Sequence, residues 1–375
     1  MIYLDNAASM PVNPKALEEA MPFLADNFAN SSSIHTPGRE GHLAIQKARE
    51  RCAAALNADP DEIIFTSGGT ESNNLAVFSA ALSSGKRRII TSAIEHPSVL
   101  MPCAELEKRG FEIIKINPDR QGIINIYDLE KALNSDTALV TIMTANNEVG
   151  TLQPVAEAAE LCRERYIPFH TDAVQAAGNI PINLRELKAD YLSISAHKIG
   201  GFKGSGLLFA RRGATVRPLI FGGGQEHGLR SGTENTAAIA ALGAAMEYCC
   251  RDIQKKERKI SRLRDMLIEK LSRIPNSHLN GSTAQRLCGN VNISFEGVES
   301  EPLVLSLDLM GVCVSAASAC SAGKQARSHV LKAMGLSENI IDSSVRLTLS
   351  EYNTESEILK SAEIITDCIN KLRSI

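Results

Sequence analysis

Lys198 is the residue best placed for covalent chemistry in this sequence. It ends the run Tyr191-Leu-Ser-Ile-Ser-Ala-His-Lys198 and enters a glycine-rich segment that continues to Gly206. The alternating apolar residues at 191–195 predict a buried strand. A lysine at the end of such a strand is partly desolvated, so its neutral amine becomes accessible for Schiff-base formation. The alternative is an ordinary solvated cation in a loop.

Asp172 ends a second short apolar segment, Phe169-His-Thr-Asp172. A carboxylate at the end of a buried strand is costly unless a cation meets it. The protonated pyridine nitrogen of pyridoxal phosphate is such a cation, and Asp172 would keep that ring an electron sink. Gln175 could then reach the phenolate oxygen of the ring. The alternative for Asp172 alone is a helix cap, but a strand-end lysine and a phosphate cradle in the same chain favour the cofactor.

A phosphate cradle is predicted where a strand at 62–66 leads through Ser67-Gly-Gly-Thr70 into an apolar helical run at 75–82. Free backbone N–H groups and the helix dipole favour an anion there, and small residues let the ligand approach. The alternative is a plain helix cap. Further phosphate donors are expected among the hydroxyl, imidazole and guanidinium groups of Ser195, His197 and Arg230-Ser-Gly-Thr233. The alternative for the stretch 221–233 is a mobile loop without a ligand.

The chain from about residue 60 to 210 predicts an α/β fold with a mostly parallel sheet and helices on both faces. Candidate ligand residues follow its strands, at the edge where open α/β sheets bind ligands; these residues are Thr70, Asn147, Asp172 and Lys198. The predicted strands lie near 62–67, 88–94, 111–116, 137–143, 168–172, 190–195 and 205–210.

Two domains are expected because 375 residues exceed one ordinary core. We predict a large domain at 13–250 and a smaller α+β domain formed by 1–12 and 251–375. The smaller domain has predicted strands at 290–295 and 344–349 and predicted helices at 301–310 and 354–372.

Composition excludes several classes of function. A net charge of -3 gives no electrostatic case for nucleic acid or anionic membranes, and no apolar run approaches a membrane span. Nine cysteines occur without C-x-x-C pairs, so neither a zinc framework nor another metal site is predicted. Reduced thiols and the absence of a basic, apolar leader suggest a cytoplasmic protein.

Cys320 and Arg346 are two further candidates for chemistry. Cys320 lies among small residues and is followed by Lys324 and Arg327, a setting that favours the thiolate. The alternative is an inert surface cysteine. Arg346 interrupts the apolar strand Ser344-Val-Arg-Leu-Thr-Leu and needs an anion, either a substrate carboxylate or an internal ion pair.

Several motifs together resemble the cysteine desulfurases of class-V aminotransferase type, the NifS/IscS-like family. The resemblance runs nearly end to end and implies a pyridoxal phosphate-dependent transferase of fold type I. It rests on Tyr3-Leu-Asp-Asn-Ala-Ala, Phe65-Thr-Ser-Gly-Gly-Thr-Glu-Ser-Asn-Asn, Glu95-His96, Asn146-Asn147-Glu-Val-Gly, His170-Thr-Asp-Ala-Val-Gln, Ser195-Ala-His-Lys198, Arg230-Ser-Gly-Thr-Glu-Asn and Ser318-Ala-Cys320-Ser.

The resemblance implies a role for each candidate. Lys198 would bind pyridoxal phosphate covalently, His96 would stack on its ring and move protons, and Asp172, Gln175 and Asn147 would contact ring or substrate. Arg346 would bind the carboxylate of L-cysteine. Gly69, Thr70, Ser195 and His197 would hold the phosphate, while Thr233 would reach the phosphate of the partner subunit in a homodimer.

The implied reaction converts L-cysteine into L-alanine and leaves a persulfide on Cys320 for a sulfur-acceptor protein, as in iron–sulfur cluster assembly or tRNA thiolation. The chain departs from the family pattern at Ala196, Phe202, Asn30-Ser31 and Lys324-Gln-Ala326, which puts the acceptor in doubt. Alternatives are a selenocysteine lyase, a cysteine or cystine β-lyase, or a catalytically silent subunit that only binds a partner.

Overall fold

The computed structural model describes residues 1–316 and 327–374. The strands of these residues, in chain order, are β1 Ile2–Tyr3, β2 Ile63–Thr66, β3 Arg88–Ser92, β4 Glu112–Ile116, β5 Thr137–Thr141, β6 Phe169–Asp172, β7 Tyr191–Ser195, β8 Gly206–Ala210, β9 Ser277–Leu279, β10 Asn290–Phe295, β11 Val312–Cys313, β12 Ser315–Ala316 and β13 Ser344–Thr348.

The helices, in the same order, are α1 Pro14–Ala25, α2 Thr36–Leu56, α3 Gly69–Ser83, α4 Pro97–Lys108, α5 Ile126–Ala132, α6 Val155–Glu164, α7 Leu184–Leu187, α8 Thr236–Cys250, α9 Ile253–Leu271, α10 Ser300–Leu309, α11 His329–Ala333, α12 Glu338–Asp342 and α13 Glu355–Arg373. A short 3-10 turn, Ala196–Lys198, follows β7 directly.

The large sheet has seven strands in the order β2-β8-β7-β6-β5-β3-β4. The pairs from β7 to β4 are parallel, and β8 is antiparallel to both β7 and β2. This confirms the predicted α/β class with a mostly parallel sheet. Each of the seven predicted strands is present within two residues of the expected bounds.

Both faces of the large sheet are buried, because alternate residues of one strand join different apolar clusters. Leu207 and Phe209 pack with α1, α2 and α8, whereas Leu208 and Ala210 pack with α3 and α4. The near-continuous apolar runs of these strands therefore have a direct structural cause. Helices on both sides hold the strand ends in register, and those ends carry the candidate residues.

A smaller antiparallel sheet has the order β12-β13-β10-β9, and β1 pairs with β11 alongside it. Its apolar cluster joins Ile2 and Leu4 to residues of α9, α10 and α13. The N-terminal segment continues from this cluster past Asp5, which bridges to Thr348. The predicted domain boundaries at 12/13 and 250/251 stay a prediction.

Candidate active site

The register of the large sheet brings the ends of three strands together at one edge. Thr66 ends β2 opposite Gly206, and Ser195 ends β7 opposite the same glycine. Asp172 ends β6 opposite Ser193 on β7. The sequence-predicted residues Asp172, Ser195 and Lys198 therefore follow neighbouring strands, and Gly69 begins the helix after β2.

The turn before α3 forms a close-packed cradle of small residues. A β-carbon on Gly69 would stand 2.7 Å from Val174 Cγ2, and one on Gly206 would stand 2.6 Å from Gly68 Cα. Gly68 has φ +150°, a value that side chains rarely allow, and the nearest side-chain atom to a β-carbon there would be Ser195 Oγ, at 3.7 Å. The Ser195 hydroxyl and the first N–H groups of α3 thus offer donors to one anion.

Asp172 is 5% exposed and accepts hydrogen bonds from two neutral donors. Asn73 Nδ2 donates to Oδ2 at 2.7 Å, and the Val174 N–H donates to Oδ1 at 2.9 Å. A buried carboxylate held in this way presents its negative charge to whatever binds at the sheet edge.

Lys198 and Gln175 both donate to the N-terminal segment that crosses this edge. Lys198 Nζ donates to the Ala7 carbonyl and, at 2.8 Å, to the Ala8 carbonyl. Gln175 Nε2 donates to the Ala7 carbonyl at 3.1 Å. No local sequence pattern predicts this contact, because Ala7 and Lys198 lie 191 positions apart.

His96 caps α4 with its own imidazole. Its Nδ1 accepts from the Ser98 N–H at 3.1 Å and lies 2.7 Å from Ser98 Oγ. Burial lowers the pKa of His96, the charge of Asp172 opposes this shift, and the charges of Lys198 and His329 add to it. Burial therefore favours the neutral imidazole of His96, while the charges of Asp172 and Lys198 act on it in opposite directions.

Arg346 projects from β13 and is 4% exposed. Its Nη2 pairs with Asp5 Oδ1 at 2.9 Å, and its Nη1 donates to the Asn147 carbonyl at 2.9 Å. Its Nε, also buried, has no acceptor among the described residues. Of the two alternatives for Arg346, the internal ion pair is present, and the role in substrate binding stays a prediction. Asn147 lies against Arg346 through its backbone.

The remaining predicted residues are less closely joined to this group. His197 Nδ1 lies 3.3 Å from Ser9 Oγ, and burial together with Lys198 and Lys203 lowers the pKa of His197 to about 4. Thr70 and Thr233 are exposed. Cys320 lies outside the described residues.

Sequence reasoning missed two buried acids and the residues beside them. Burial raises the pKa of Glu95 to about 8 and the pKa of Glu148 to about 7. Ser328 donates to Glu148, and His329 Nε2 bonds to the Glu95 carbonyl at 2.9 Å. These two contacts fix the start of α11 against the segments that carry His96 and Asn147. The only sequence signal was the position of both acids within the matching motifs.

Asn73 and Ser98 were also missed as site residues. Asn73 Nδ2 donates to Ser98 Oγ at 2.8 Å as well as to Asp172, so these two side chains connect Asp172 to His96. Both are buried, and Asn73 Oδ1 has no partner among the described residues.

Two further findings concern what the described residues lack. No group of three or more His, Cys, Asp or Glu residues among them is arranged to hold a metal ion. No helix in the described part of the chain is long and apolar enough to cross a membrane.

Comparison with known proteins identifies the class of this fold and site. Residues 2–360 match the family described as aminotransferase class-V. The chain belongs to the class-V aminotransferases, and within them it belongs to the cysteine desulfurases of the NifS/IscS-like group. This confirms the family resemblance predicted from the motifs.

Full-length relatives support that assignment. Cysteine desulfurase IscS of Dictyoglomus turgidum is 47% identical over 377 residues, which cover all of this chain and 96% of that relative. A solved NifS-like protein superposes with a TM-score of 0.93 at 37% identity and covers 99% of both chains. The protein SspA, solved in complex with cysteine, has a TM-score of 0.84 at 37% identity, over 94% of this chain and all of its own.

Proposed function

We propose that this protein is a pyridoxal phosphate-dependent cysteine desulfurase that converts L-cysteine into L-alanine and a persulfide on Cys320. The observation that carries this proposal is the buried carboxylate of Asp172, which accepts hydrogen bonds from the neutral donors Asn73 and Val174 and ends the strand next to the one that leads to Lys198. A carboxylate in that setting suits a cationic ring nitrogen. The full-length relatives named cysteine desulfurase supply the reaction.

The donor set fits pyridoxal phosphate. The glycine turn before α3 and the Ser195 hydroxyl suit the phosphate, because the first N–H groups of α3 and this hydroxyl can donate to one anion. Asp172 suits the ring nitrogen, and Lys198 supplies the amine for the covalent bond. When bound, the cofactor supplies an electron sink that makes the α-proton of an amino acid acidic. Gln175, His197 and Thr70 are proposed as additional contacts.

Each residue then has a separate task toward the substrate. The Arg346 guanidinium binds and orients the carboxylate of L-cysteine, with Asn147 beside it. The Lys198 amine removes the α-proton, because its position at the strand end brings it beside Asp172 and His96. His96 exchanges protons with the reacting group while its imidazole is held against α4.

The sulfur step balances without an added oxidant or reductant. The Cys320 thiolate attacks the substrate sulfur, a new S–S bond forms, and the bond between that sulfur and the substrate β-carbon breaks. The electron pair of the broken bond stays with the carbon, which takes up a proton and leaves as L-alanine. The sulfur remains on Cys320 as a persulfide, ready for transfer to an acceptor.

We further propose a cytoplasmic homodimer and a separate sulfur-acceptor protein. Arg230 pairs with Glu71 of the same chain at 2.9 Å, which holds the segment with Thr233 beside the cradle turn. The exposed Thr233 is then available to the phosphate of a second copy.

Covalent labelling tests the cofactor assignment. Borohydride treatment of the purified yellow protein should fix the cofactor to Lys198, and the Lys198→Ala variant should lose turnover. Lys203→Ala is the matched control, because Lys203 is exposed in the same glycine-rich segment. A reduced adduct on Lys203 or Lys188 in the peptide map would contradict the assignment.

The Cys320→Ser variant separates the two halves of the reaction. It should still exchange the α-proton of L-cysteine with solvent, because that step needs Lys198 and not the thiol. It should form almost no alanine and no protein-bound persulfide. Cys313→Ser is the control, since Cys313 lies in β11 and pairs with Tyr3. Alanine formation at the wild-type rate by Cys320→Ser would support a lyase instead.

A further inference from the structure

We propose that Asn73 and Ser98 are positioning residues that hold His96 as a neutral imidazole with its proton on Nε2. The proposal deepens the proposed function, on which it rests for the role of His96 in catalysis. Its structural content is a chain of hydrogen bonds that runs from Asp172 through these two side chains to the imidazole. The distances along it are 2.7, 2.8 and 2.7 Å.

The direction of each hydrogen bond follows from its donors. The Asp172 carboxylate can only accept, so the Asn73 amide must turn its NH₂ group toward it. That NH₂ group carries two hydrogens, and the second is donated to Ser98 Oγ. Since Ser98 Oγ accepts this hydrogen, its own proton is available for His96 Nδ1.

The backbone fixes the tautomer independently. The Ser98 N–H can only donate, and it donates to His96 Nδ1 at 3.1 Å. Nδ1 therefore presents its lone pair to the backbone, and the proton of the neutral ring lies on Nε2. Protonation of Nδ1 would set two N–H donors against each other and remove the cap of α4.

The orphaned oxygen of Asn73 points to a functional reason for this arrangement. Asn73 is 1% exposed, and its Oδ1 has no hydrogen-bond partner among the described residues. Buried polar atoms without partners are uncommon because they lose hydration without compensation. Oδ1 stays unpaired because the Asn73 amide is turned so that its NH₂ group donates to both Asp172 and Ser98.

This chain of hydrogen bonds cannot pass a proton between Asp172 and His96, because the Asn73 amide donates both to Asp172 and to Ser98. His96 therefore faces the reacting group through Nε2 alone, and in its resting neutral form it is a hydrogen-bond donor at that atom. A neutral imidazole does not release this proton near pH 7, so His96 transfers a proton only when Nδ1 takes one up and gives up its hydrogen bonds from Ser98.

Nitrogen-15 NMR of histidine-labelled protein tests the tautomer directly. The His96 signals are assigned as those lost in a His96→Asn variant. At neutral pH we expect an unprotonated Nδ1 and a protonated Nε2. A protonated Nδ1, or a doubly protonated ring, would overturn the proposal. This readout does not depend on activity, so a protein with the expected tautomer and no alanine formation would refute only the proposed function.

Two variants and a control test the positioning role. Ser98→Ala and Asn73→Ala should each move the His96 titration to higher pH and lower kcat about tenfold with little change in KM, as loss of an outer partner of a functional histidine does. Ser98→Thr should restore both. Asn74→Ala is the control, because Asn74 bonds to the backbone carbonyls of Thr70 and Ser98 and not to the Ser98 hydroxyl. An unchanged His96 signal in folded Ser98→Ala and Asn73→Ala would overturn the role.

Discussion

Two buried arginines, Arg49 and Arg346, have the same 4% exposure and a carboxylate partner each, yet they are held differently. Arg49 binds Glu226 through both terminal nitrogens, at 2.6 and 3.0 Å, and Glu226 also accepts from the Phe65 N–H. Arg346 reaches Asp5 through one nitrogen only, at 2.9 Å. The Arg49–Glu226 pair is bidentate. The Arg346–Asp5 pair uses one nitrogen, and another nitrogen of Arg346 donates to a neutral carbonyl.

This difference in pairing agrees with a purely structural role for Arg49 and with the substrate-binding role that we propose for Arg346. The Glu226 side chain is 5% exposed, so its ion pair with Arg49 is buried against the large sheet. The Asp5 side chain is 18% exposed and lies in the segment that continues to Ala7 and Ala8 beside Lys198. A substrate carboxylate could therefore share Arg346 without breaking a bidentate pair, whereas at Arg49 it would have to break the bidentate pair with Glu226.

The largest effect on stability is expected for Arg49→Ala. Removal of one partner leaves the Glu226 carboxylate buried without its cation, which costs about 3–5 kcal/mol of unfolding free energy. Urea unfolding measures this loss, while cysteine affinity in the folded fraction should not change.

The control for Arg49→Ala is Arg273→Ala, because the exposed Arg273–Glu269 pair on α9 contributes about 0.5 kcal/mol or less. Equal losses in the two variants would remove the distinction between a buried clamp and a surface pair.

The second prediction concerns Glu148, and whether this carboxyl group is a second negative charge near Arg346. Burial raises the pKa of Glu148 to about 7, although Ser328 and Arg346 oppose the shift. The native state then binds a proton that the unfolded chain has released, so stability falls as pH rises from about 4.5 to about 7. Glu148→Gln should flatten this fall by about 3 kcal/mol at most.

Unfolding free energies at the two ends of this pH range measure the slope. Glu107→Gln, at an exposed position of α4, is the control and should leave the slope unchanged. A slope that is the same in wild type and Glu148→Gln would mean that Glu148 is ionised in the native state and that Arg346 faces two carboxylates.

The third prediction concerns Arg346→Ala. Loss of a charge-assisted contact with the substrate carboxylate should weaken cysteine binding by about 2–3 kcal/mol, or about a hundredfold. The cofactor spectrum should be largely retained. Arg346→Lys keeps the charge without the planar fork and should recover only part of the affinity.

Unfolding of Arg346→Ala with wild-type affinity in its folded fraction would place Arg346 in the same structural class as Arg49. The comparison of the two arginines would then rest on geometry alone.

The sequence was sufficient to predict the strands of the large sheet and the residues at their ends. Apolar runs of strand length, separated by amphipathic helices, locate Asp172 and Lys198 because those residues follow the runs directly. The family motifs add His96, whose partners were not evident. Asn73 lies 25 positions from Ser98 and 99 from Asp172, and only packing of α3 against α4 and β6 brings them together.

The partner of Arg346 was equally beyond sequence reasoning. The strand pattern required an anion but left an internal carboxylate and a substrate as equal alternatives. Asp5 lies 341 positions away and reaches Arg346 because the N-terminal segment pairs with β11 and bridges to β13. Because the Asp5–Arg346 contact depends on where the N-terminal segment lies in the fold, neither segment carries a local sequence pattern that predicts it.

The smallest expected effect belongs to Asp5→Asn, which tests whether the Asp5 carboxylate competes with the substrate for Arg346. The amide keeps the size of the side chain and can still accept from Arg346 Nη2, but it removes the negative charge. Because the Arg346 guanidinium then has no negative charge beside it from Asp5, it should bind the substrate carboxylate more tightly, by about 1 kcal/mol or roughly fivefold. The KM for cysteine at low salt measures this change, and high salt should reduce it.

Glu112→Gln, which breaks the half-exposed pair with Arg88 at the far edge of the sheet, is the control. If Asp5→Asn instead weakens cysteine binding, Asp5 orients Arg346 for the substrate, and the two buried arginines differ only in how many bonds hold them.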